Sequence, residues 1–374
     1  MEHILYWLWL TAVKQIRPSK IKLLLDELGS IENIYFLKKF NNIRCLSQND
    51  KNQLENKDLQ RAEHIFEIIS QLKAKIIVYD DENYPQILKN ISDPPFVLYI
   101  QGKVPELDKV LTIGVVGTRR ATEFGIKITE RFCYNLASEG VVTVSGLALG
   151  IDAASAWATI KAGGMAVAVL GNGLDIVYPP ANAELYSALA ECGCIMTEYP
   201  PSSPPIGSHF PARNRIIAGL SRGVLVTEAP RKSGALITAR FAMENNRDVF
   251  AVPRDISKTD LLGTNIIIQE GAKLVNSPRD ILCEYPYFEK VPPVKHEAAH
   301  MGTRMPKNKK QEINLRDLND NEKQIAELLL KGGMQVDELS RELEIPVSEI
   351  SVRLTMLEMK GIVKKLGNQY SLKI

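Results

Sequence analysis

VLTIGVVGTRRATEFG (residues 110–125), VVTVSGLALGID (141–152) and MAVAVLGNG (165–173) repeat one pattern: an apolar, β-branched run that ends in a turn rich in Gly. The first two turns open directly into helical runs. Strands alternating with helices predict a parallel sheet, whose turns gather at the carboxyl ends of the strands, where ligands bind. Gly and Ser in such turns let backbone amides approach an anion, and a following helix N-terminus adds partial positive charge. The candidate phosphate-binding residues are therefore Gly117, Thr118 and Arg119 in the first turn, Ser145 and Gly146 in the second, and Asn172 and Gly173 in the third.

Inside this stretch Phe124, Ile128, Phe132 and Leu136 recur every four positions, which predicts a helix with an apolar face that ends at Gly140. The alternation continues downstream. Strands are expected at Cys194–Thr197, Val224–Thr227 and Val249–Val252, with helices at Asn182–Ala190, Arg215–Leu220 and Ala235–Glu244. Ser277-Pro278 is an N-cap and N1 pair for a last short helix. Between the strand at 194–197 and the next helix lies a long Pro-rich loop, EYPPSSPPIGSHFPARN (198–214), whose prolines restrict its conformations.

Upstream, residues 1–73 read as helical, with a turn at Ile16–Lys20 between two helices. The shape resembles a helix-hairpin-helix, but the turn carries no Gly to let its backbone approach phosphate. The N-terminal MEHILYWLWL has neither a basic start nor a small-residue cleavage site, so a buried helix is expected rather than a signal peptide. Residues 74–109 form a bridge with strands at AKIIVYD (74–80) and Phe96–Ile100. At the other end, residues 288–312 are rich in Pro and Lys without apolar periodicity, which predicts a linker. Residues 313–374 read helix, helix, turn, helix and a hairpin turning at Gly367-Asn368, the order of a winged helix. Its third helix offers Ser348, Glu349, Ser351, Thr355 and Glu358 with Arg353 as the central cation, a poor surface for duplex phosphates and a better one for a protein contact.

The fold class is thus α/β: a Rossmann-like parallel sheet over 74–287, flanked by a helical, SAM-like domain (1–73) and, beyond the linker, a winged-helix-like domain (313–374). A chain of 374 residues with 45% hydrophobic and 24% charged residues suits several soluble domains, and no apolar run approaches the ~20 residues of a membrane span. Five scattered cysteines, with Cys192 and Cys194 as the one close pair, predict free thiols in a reducing cytoplasm and no metal site. A net charge of +2 requires that any polyanion be held by a local basic patch.

The turns exclude some chemistries. The second strand ends in Ser145-Gly146 and not in the carboxylate that holds a dinucleotide ribose, and no G-x-x-x-x-G-K-[ST] loop is present, so no nucleotide cofactor is expected. No Ser–His or Cys–His constellation appears, and Asp152, just inside a helix start, suits a dipole-stabilising role. Arg119 has two readings: an ion pair with Glu198 or Glu228, or a fork onto phosphate. Phe210, beside Arg213, Asn214 and Arg215, either stacks a base or anchors its loop in the core. Lys232, Ser233 and Gly234 form either an anion-friendly turn or a plain N-cap.

GVVGTRRATEFG, VSGLALGIDAAS, AVLGNGLDIVYPP, HFPARNRIIAGLS, SGALITARFAMENNRDVFAVP and LGTNIIIQEGA, in this order, resemble the DNA-processing protein A family (DprA, also called Smf). The resemblance implies a non-enzymatic, cytoplasmic protein that binds single-stranded DNA without sequence preference, protects strands entering in natural transformation, and helps load the RecA recombinase. It also implies a homodimer joined through the Rossmann-like domain. Gly117, Thr118 and Arg119, and Phe210, Arg213 and Asn214, fall on the family's DNA-binding motifs. Gly207 stands where many members carry Lys or Arg. The three adjacent residues Ile266, Ile267 and Ile268 mark a candidate dimer surface. Two other readings remain: a phosphoribohydrolase-like enzyme, whose Pro-Gly-Gly-x-Gly-Thr turn is missing from Glu228–Gly234, and a winged-helix regulator that reads duplex DNA.

Overall fold

The structure, a computed structural model, describes residues 2–14, 16–257, 259–289 and 291, and then 320–331, 334–343, 345–359, 362–366 and 369–372. It divides into two compact units, Met1–His296 and Glu297–Ile374. No helix among the described residues is long and apolar enough to cross a membrane.

The first unit opens with helices α1 (Glu2–Leu8), α2 (Pro18–Leu28), α3 (Ile31–Phe36), α4 (Gln48–Glu55) and α5 (Gln60–Gln71). Strand β1 (Lys75–Val78), helix α6 (Gln86–Lys89) and strand β2 (Val97–Gly102) follow. The α/β alternation then runs β3 (Thr112–Val116), α7 (Glu123–Ser138), β4 (Val142–Ser145), α8 (Ile151–Lys161), β5 (Ala166–Val169), α9 (Ala183–Cys192) and β6 (Cys194–Thr197). It continues through α10 (His209–Gly219), β7 (Gly223–Val226), α11 (Gly234–Glu244), β8 (Asp248–Ala251), α12 (Gly263–Gln269), β9 (Lys273–Leu274) and α13 (Pro278–Leu282).

The nine strands form one sheet in the order β1-β2-β6-β5-β4-β3-β7-β8-β9. From β6 to β9 all neighbours are parallel, while β1 and β2 add an antiparallel edge. The chain steps from β3 through β4, β5 and β6 in one direction, then returns to place β7 on the other side of β3. The loops after β3 and β7 therefore flank a topological switch point, where an open α/β sheet leaves a crevice. Side chains alternate across the sheet: Ile113 and Val115 pack with Phe132, Leu136 and Ile151 on one face, and Val116 and Val144 with Ile216, Ile217 and Ala239 on the other. Gly140 (φ 80°) follows the C-cap residue Glu139 and ends α7, and Ser277 and Asp280 form the capping box of α13. Phe124 departs from the expected apolar face: it is exposed, with the Arg254 guanidinium 4.5 Å over its ring.

Residues 1–73 do not stand apart from the sheet. Trp7 stacks on Phe96 (5.6 Å between centroids, 13° between planes), and one core joins Trp7, Trp9, Ile21 and Ile65 to Tyr99, Leu185 and Leu189. Helical content alone suggests a separate domain, whereas the buried aromatics of α1 need the β2 edge to cover them. Of the expected linker, residues 288, 289 and 291 are described, and two of them hold to the first unit. Glu289 bridges to Val110, and the Val291 amide donates to the Gly140 carbonyl (3.1 Å), while residues 292–312 lie outside the described residues.

The second unit contains α14 (Asp320–Lys331), β10 (Met334–Gln335), α15 (Val336–Leu343), α16 (Val347–Met359), β11 (Val363–Leu366) and β12 (Gln369–Leu372). Its sheet runs β10-β12-β11 over a core of Ile325, Leu339, Ile350, Leu354 and Leu357. The short β10 was not expected, and the Gly367-Asn368 turn lies outside the described residues. Arg353 is paired with Glu349 on the same helix, and α16 leaves Val352 and Met356 exposed.

Candidate nucleic-acid interface

Loops after β3, β4, β5, β6 and β7 enclose an open cavity of about 580 Å³ at the switch point. Of the thirteen residues expected to bind, it gathers nine: Gly117, Thr118, Arg119, Phe210, Arg213, Asn214, Lys232, Ser233 and Gly234. Their roles divide once the partners of each are followed.

Arg119 is exposed, and its guanidinium sits 5.3 Å over the Phe210 ring. It makes no ion pair among the described residues: Glu198 and Glu228 are engaged elsewhere, and the buried Asp152 carboxylate feels its charge without bonding to it. Glu198 holds Arg215 through two 2.7 Å bonds, and Asp93 adds a third at 3.0 Å. Burial alone would weaken the Arg215 charge, but Glu198 and Asp93 hold its pKa above the ordinary arginine range. Glu228 is fully buried, pairs with Arg254 (3.0 Å), and accepts from the Thr122 amide (2.8 Å) and hydroxyl (2.5 Å). The N-cap of α7 is thereby fixed, with the Thr122 hydroxyl accepting in turn from the Gly125 amide (3.1 Å).

Arg213 departs from expectation. Residues 209–214 are not loop: α10 begins at His209, and Pro211 fits its first turn. Phe210, Arg213, Asn214 and Ile217 then share one helix face toward the cavity. Arg213 is only 3% exposed, and its Nη1 donates to the carbonyls of Gly146 (2.9 Å) and Val169, at the ends of β4 and β5. Burial lowers its pKa to about 10, opposed by the Asp152 carboxylate. Arg213 therefore ties two strand ends together through Nη1 while its side chain still lines the cavity.

The second and third turns are likewise occupied by the protein itself. Asp152 accepts from the Gly146 (3.0 Å) and Ala148 (3.4 Å) amides, so its carboxylate fills the anion position of that turn. Burial raises the Asp152 pKa, against the pull of Arg213 and the two amides. Ser145 is buried at the end of β4. Asn172 and Gly173 are buried too: the Asn172 amide donates to the Gly173 (2.9 Å) and Ile176 (2.6 Å) carbonyls, and the Gly173 amide donates to Ser203. None of these four lines the large cavity at the switch point, although Gly146 lines a small cavity beside it together with Arg119, Tyr178 and Phe210. The glycines follow the same logic. A Cβ at Gly117 would lie 2.4 Å from Ile151 and one at Gly146 2.4 Å from Arg213, so close packing within the protein accounts for both.

The open anion-facing groups are Arg119 and the turn before α11. There Ser233 caps the helix through the Ala235 amide (3.2 Å), and Asn214 Nδ2 donates to the Gly234 carbonyl (3.2 Å), which holds the turn against α10. Gly234 has open space where a Cβ would stand. Lys232 lies at the same helix N-terminus, where its charge and the helix dipole act together on an anion. Phe210 is half-buried, with Tyr178 beside it (5.5 Å between centroids). Tyr178 lines the cavity and was missed from the sequence, although an aromatic residue in the loop AVLGNGLDIVYPP was a usable signal. Among the described residues no group of three or more His, Cys, Asp or Glu is placed to hold a metal.

Comparison with known proteins gives a consistent picture. The family model described as DNA recombination-mediator protein A matches residues 75–286, and that of the DprA winged helix domain matches 310–369. Protein Smf of Synechocystis sp. is 37% identical over 289 residues, covering 74% of this chain and 71% of that protein. DNA processing protein DprA of Streptococcus pneumoniae is 45% identical over 207 residues, 55% of this chain and 73% of that one. The X-ray structure of DNA processing protein A from Streptococcus pneumoniae aligns with a TM-score of 0.59 at 40% identity, covering 64% of this chain and 82% of that one. A structure of the Helicobacter pylori protein, described for its single-stranded DNA binding mode, aligns with a TM-score of 0.52 at 30% identity, covering 57% and 95%. With its sheet, its winged helix and these matches, the chain belongs to the DprA/Smf family of DNA recombination-mediator proteins.

Proposed function

We propose that this protein binds single-stranded DNA without sequence preference at the switch-point cavity. The observation that carries the reading is the unpaired Arg119 lying over Phe210 and facing the same cavity as Lys232, Ser233 and Gly234. A cation and an amide-lined helix start hold phosphate, and an aromatic ring offers a stacking surface to any base. The single-strand binding described for the Helicobacter pylori relative supports it. Arg213, Ser145, Gly146, Asn172 and Gly173 shape this interface from beneath.

By the family resemblance, the bound strand is one entering in transformation, the next partner is the RecA recombinase, and the protein works in the cytoplasm as a homodimer. The candidate dimer surface needs revision. Ile267 is 2% exposed and belongs to the core, whereas Leu274, on the edge strand β9, is 43% exposed. An open strand edge with an exposed apolar side chain suits pairing with a second copy. We assign binding and no chemistry, since Asp152, which lines the cavity, and Glu228, behind the first turn, are both engaged in structural bonds.

The test is fluorescence anisotropy with labelled oligo-dT and the matching duplex, for wild type and Arg119→Ala, at two salt concentrations. A preference for the single strand, with a salt slope that falls by about 0.7 in the variant, is the expected result. Equal binding of both forms, unchanged by the substitution, would overturn it.

A further inference from the structure

Helix α10 is a partition. Phe210, Arg213, Asn214 and Ile217 face the switch-point cavity, and His209, Ala212 and Arg215 face a second one of about 860 Å³. This second cavity lies between the N-terminal helices and the sheet, and its far wall includes Arg17 and Arg61. Its carboxylates, Asp93 and Glu198, are both held by Arg215, while Arg17 and Arg61 are exposed and make no ion pair among the described residues. The charges lining the cavity, three arginines against two carboxylates, sum to +1, and the two arginines outside the ion-pair cluster are the ones open to a ligand. It also has an aromatic surface: His209 stacks on Tyr199 (4.1 Å between centroids, 15° between planes).

The loop that leads into α10 borders both cavities. Pro205 and Gly207 line the first, Pro200–Pro204 and His209 the second, so the Pro-rich loop forms the rim between them. At that rim Gly207 and Ser208 are exposed, and nothing lies within 4 Å of where a Gly207 side chain would begin. One residue seats the rings on both sides: Phe210 packs against Gly171, and His209 Nδ1 lies 3.1 Å from the Gly171 carbonyl.

We propose that a single strand bound at Arg119 and Phe210 crosses the rim at Gly207 and continues into the second cavity. There a base stacks on the Tyr199–His209 pair, and Arg17 and Arg61 hold phosphates. This rests on the single-strand reading of the first cavity. It gives the Ile16–Lys20 turn a role through its Arg side chain, which needs no Gly, and the cations lost from position 207 are supplied on the far side of the rim.

The test compares wild type, Arg119→Ala and the double variant Arg17→Ala/Arg61→Ala on oligo-dT of about 6 and about 20 nucleotides, spanning the site sizes of single-strand grooves. Both arginines are exposed, so the double variant should melt like wild type. It should bind the 6-mer as wild type does, bind the 20-mer several-fold more weakly, and lose about 1.4 from the 20-mer salt slope, the contribution of two phosphate contacts. Wild-type binding by the double variant at both lengths, with Arg119→Ala impaired at both, would overturn the second cavity and leave the first standing. No effect of Arg119→Ala at either length would overturn both. Loss of poly-glutamate binding without loss of the 20-mer would make the cavity a peptide site and also overturn the proposal.

Discussion

The ring of Phe210 rests against Gly171 so closely that a Cβ at 171 would stand 2.9 Å from Cδ1. The end of β5 therefore sets the height of the ring in the cavity. Gly171→Ala should displace it and weaken oligo-dT binding. Phe210→Ala should cost about 1–3 kcal/mol, the worth of one stacked base. In a double-mutant cycle by anisotropy, Gly171→Ala should add little once Phe210 is gone.

Arg119 and Arg213 should part company under mutation. Arg213→Ala leaves two strand-end carbonyls and the Asp152 carboxylate without their cation, and should cost about 3–5 kcal/mol in urea unfolding. Arg119→Ala should stay within about 0.5 kcal/mol of wild type while losing DNA affinity.

The junction between α1 and the sheet should respond to pH. His3 lies between Glu32 (Nδ1 to Oε1, 2.5 Å) and Asp80 (Nε2 to Oδ1, 2.9 Å), and Trp7 Nε1 also donates to Asp80 (2.9 Å). Burial would lower the His3 pKa, but hydrogen bonds and charge from the two carboxylates raise it above 6.5. A raised folded-state pKa gives stability that is fully present below the unfolded value and is lost as pH rises through the folded one. His3→Ala should therefore lower the melting temperature more at pH 5.5 than at pH 9. An equal loss at both would show that the imidazolium contributes nothing.

Leu274→Asp should convert a dimer to a monomer in light scattering while keeping the fold, because Leu274 is exposed on an edge strand. Ile267→Asp should unfold the protein, because Ile267 is in the core.

Much of the architecture was legible because its signals are local. The apolar runs ending in Gly117, Ser145 and Gly171 lead to β3, β4 and β5, α7 ends just before Gly140, and Ser277 caps the helix it was expected to cap. Which glycine faces a ligand was not legible. Gly117 admits Ile151 and Gly146 admits Arg213, and a sequence does not distinguish a gap filled by the protein from one left for DNA. The two arginines read alike for the same reason: their difference depends on α10 starting at His209, which turns Arg213 inward, and on remote Arg215 and Arg254 taking the carboxylates that would have neutralised Arg119. The helical N-terminus looked independent because nothing in α1 announces that Trp7 will stack on Phe96.

If the switch-point cavity is the DNA site, that allocation of carboxylates bears on how the molecule would choose among polyanions. With a net charge of +2, the protein exerts almost no pull at a distance. Arg119 and Lys232 line a concave wall; on the proposed reading, a lone flexible strand can bend into it and a stiff double helix has to stay outside. On that reading, selection between the two forms of DNA is a matter of admission, and charges added to or removed from the outer surface should change solubility before they change the choice.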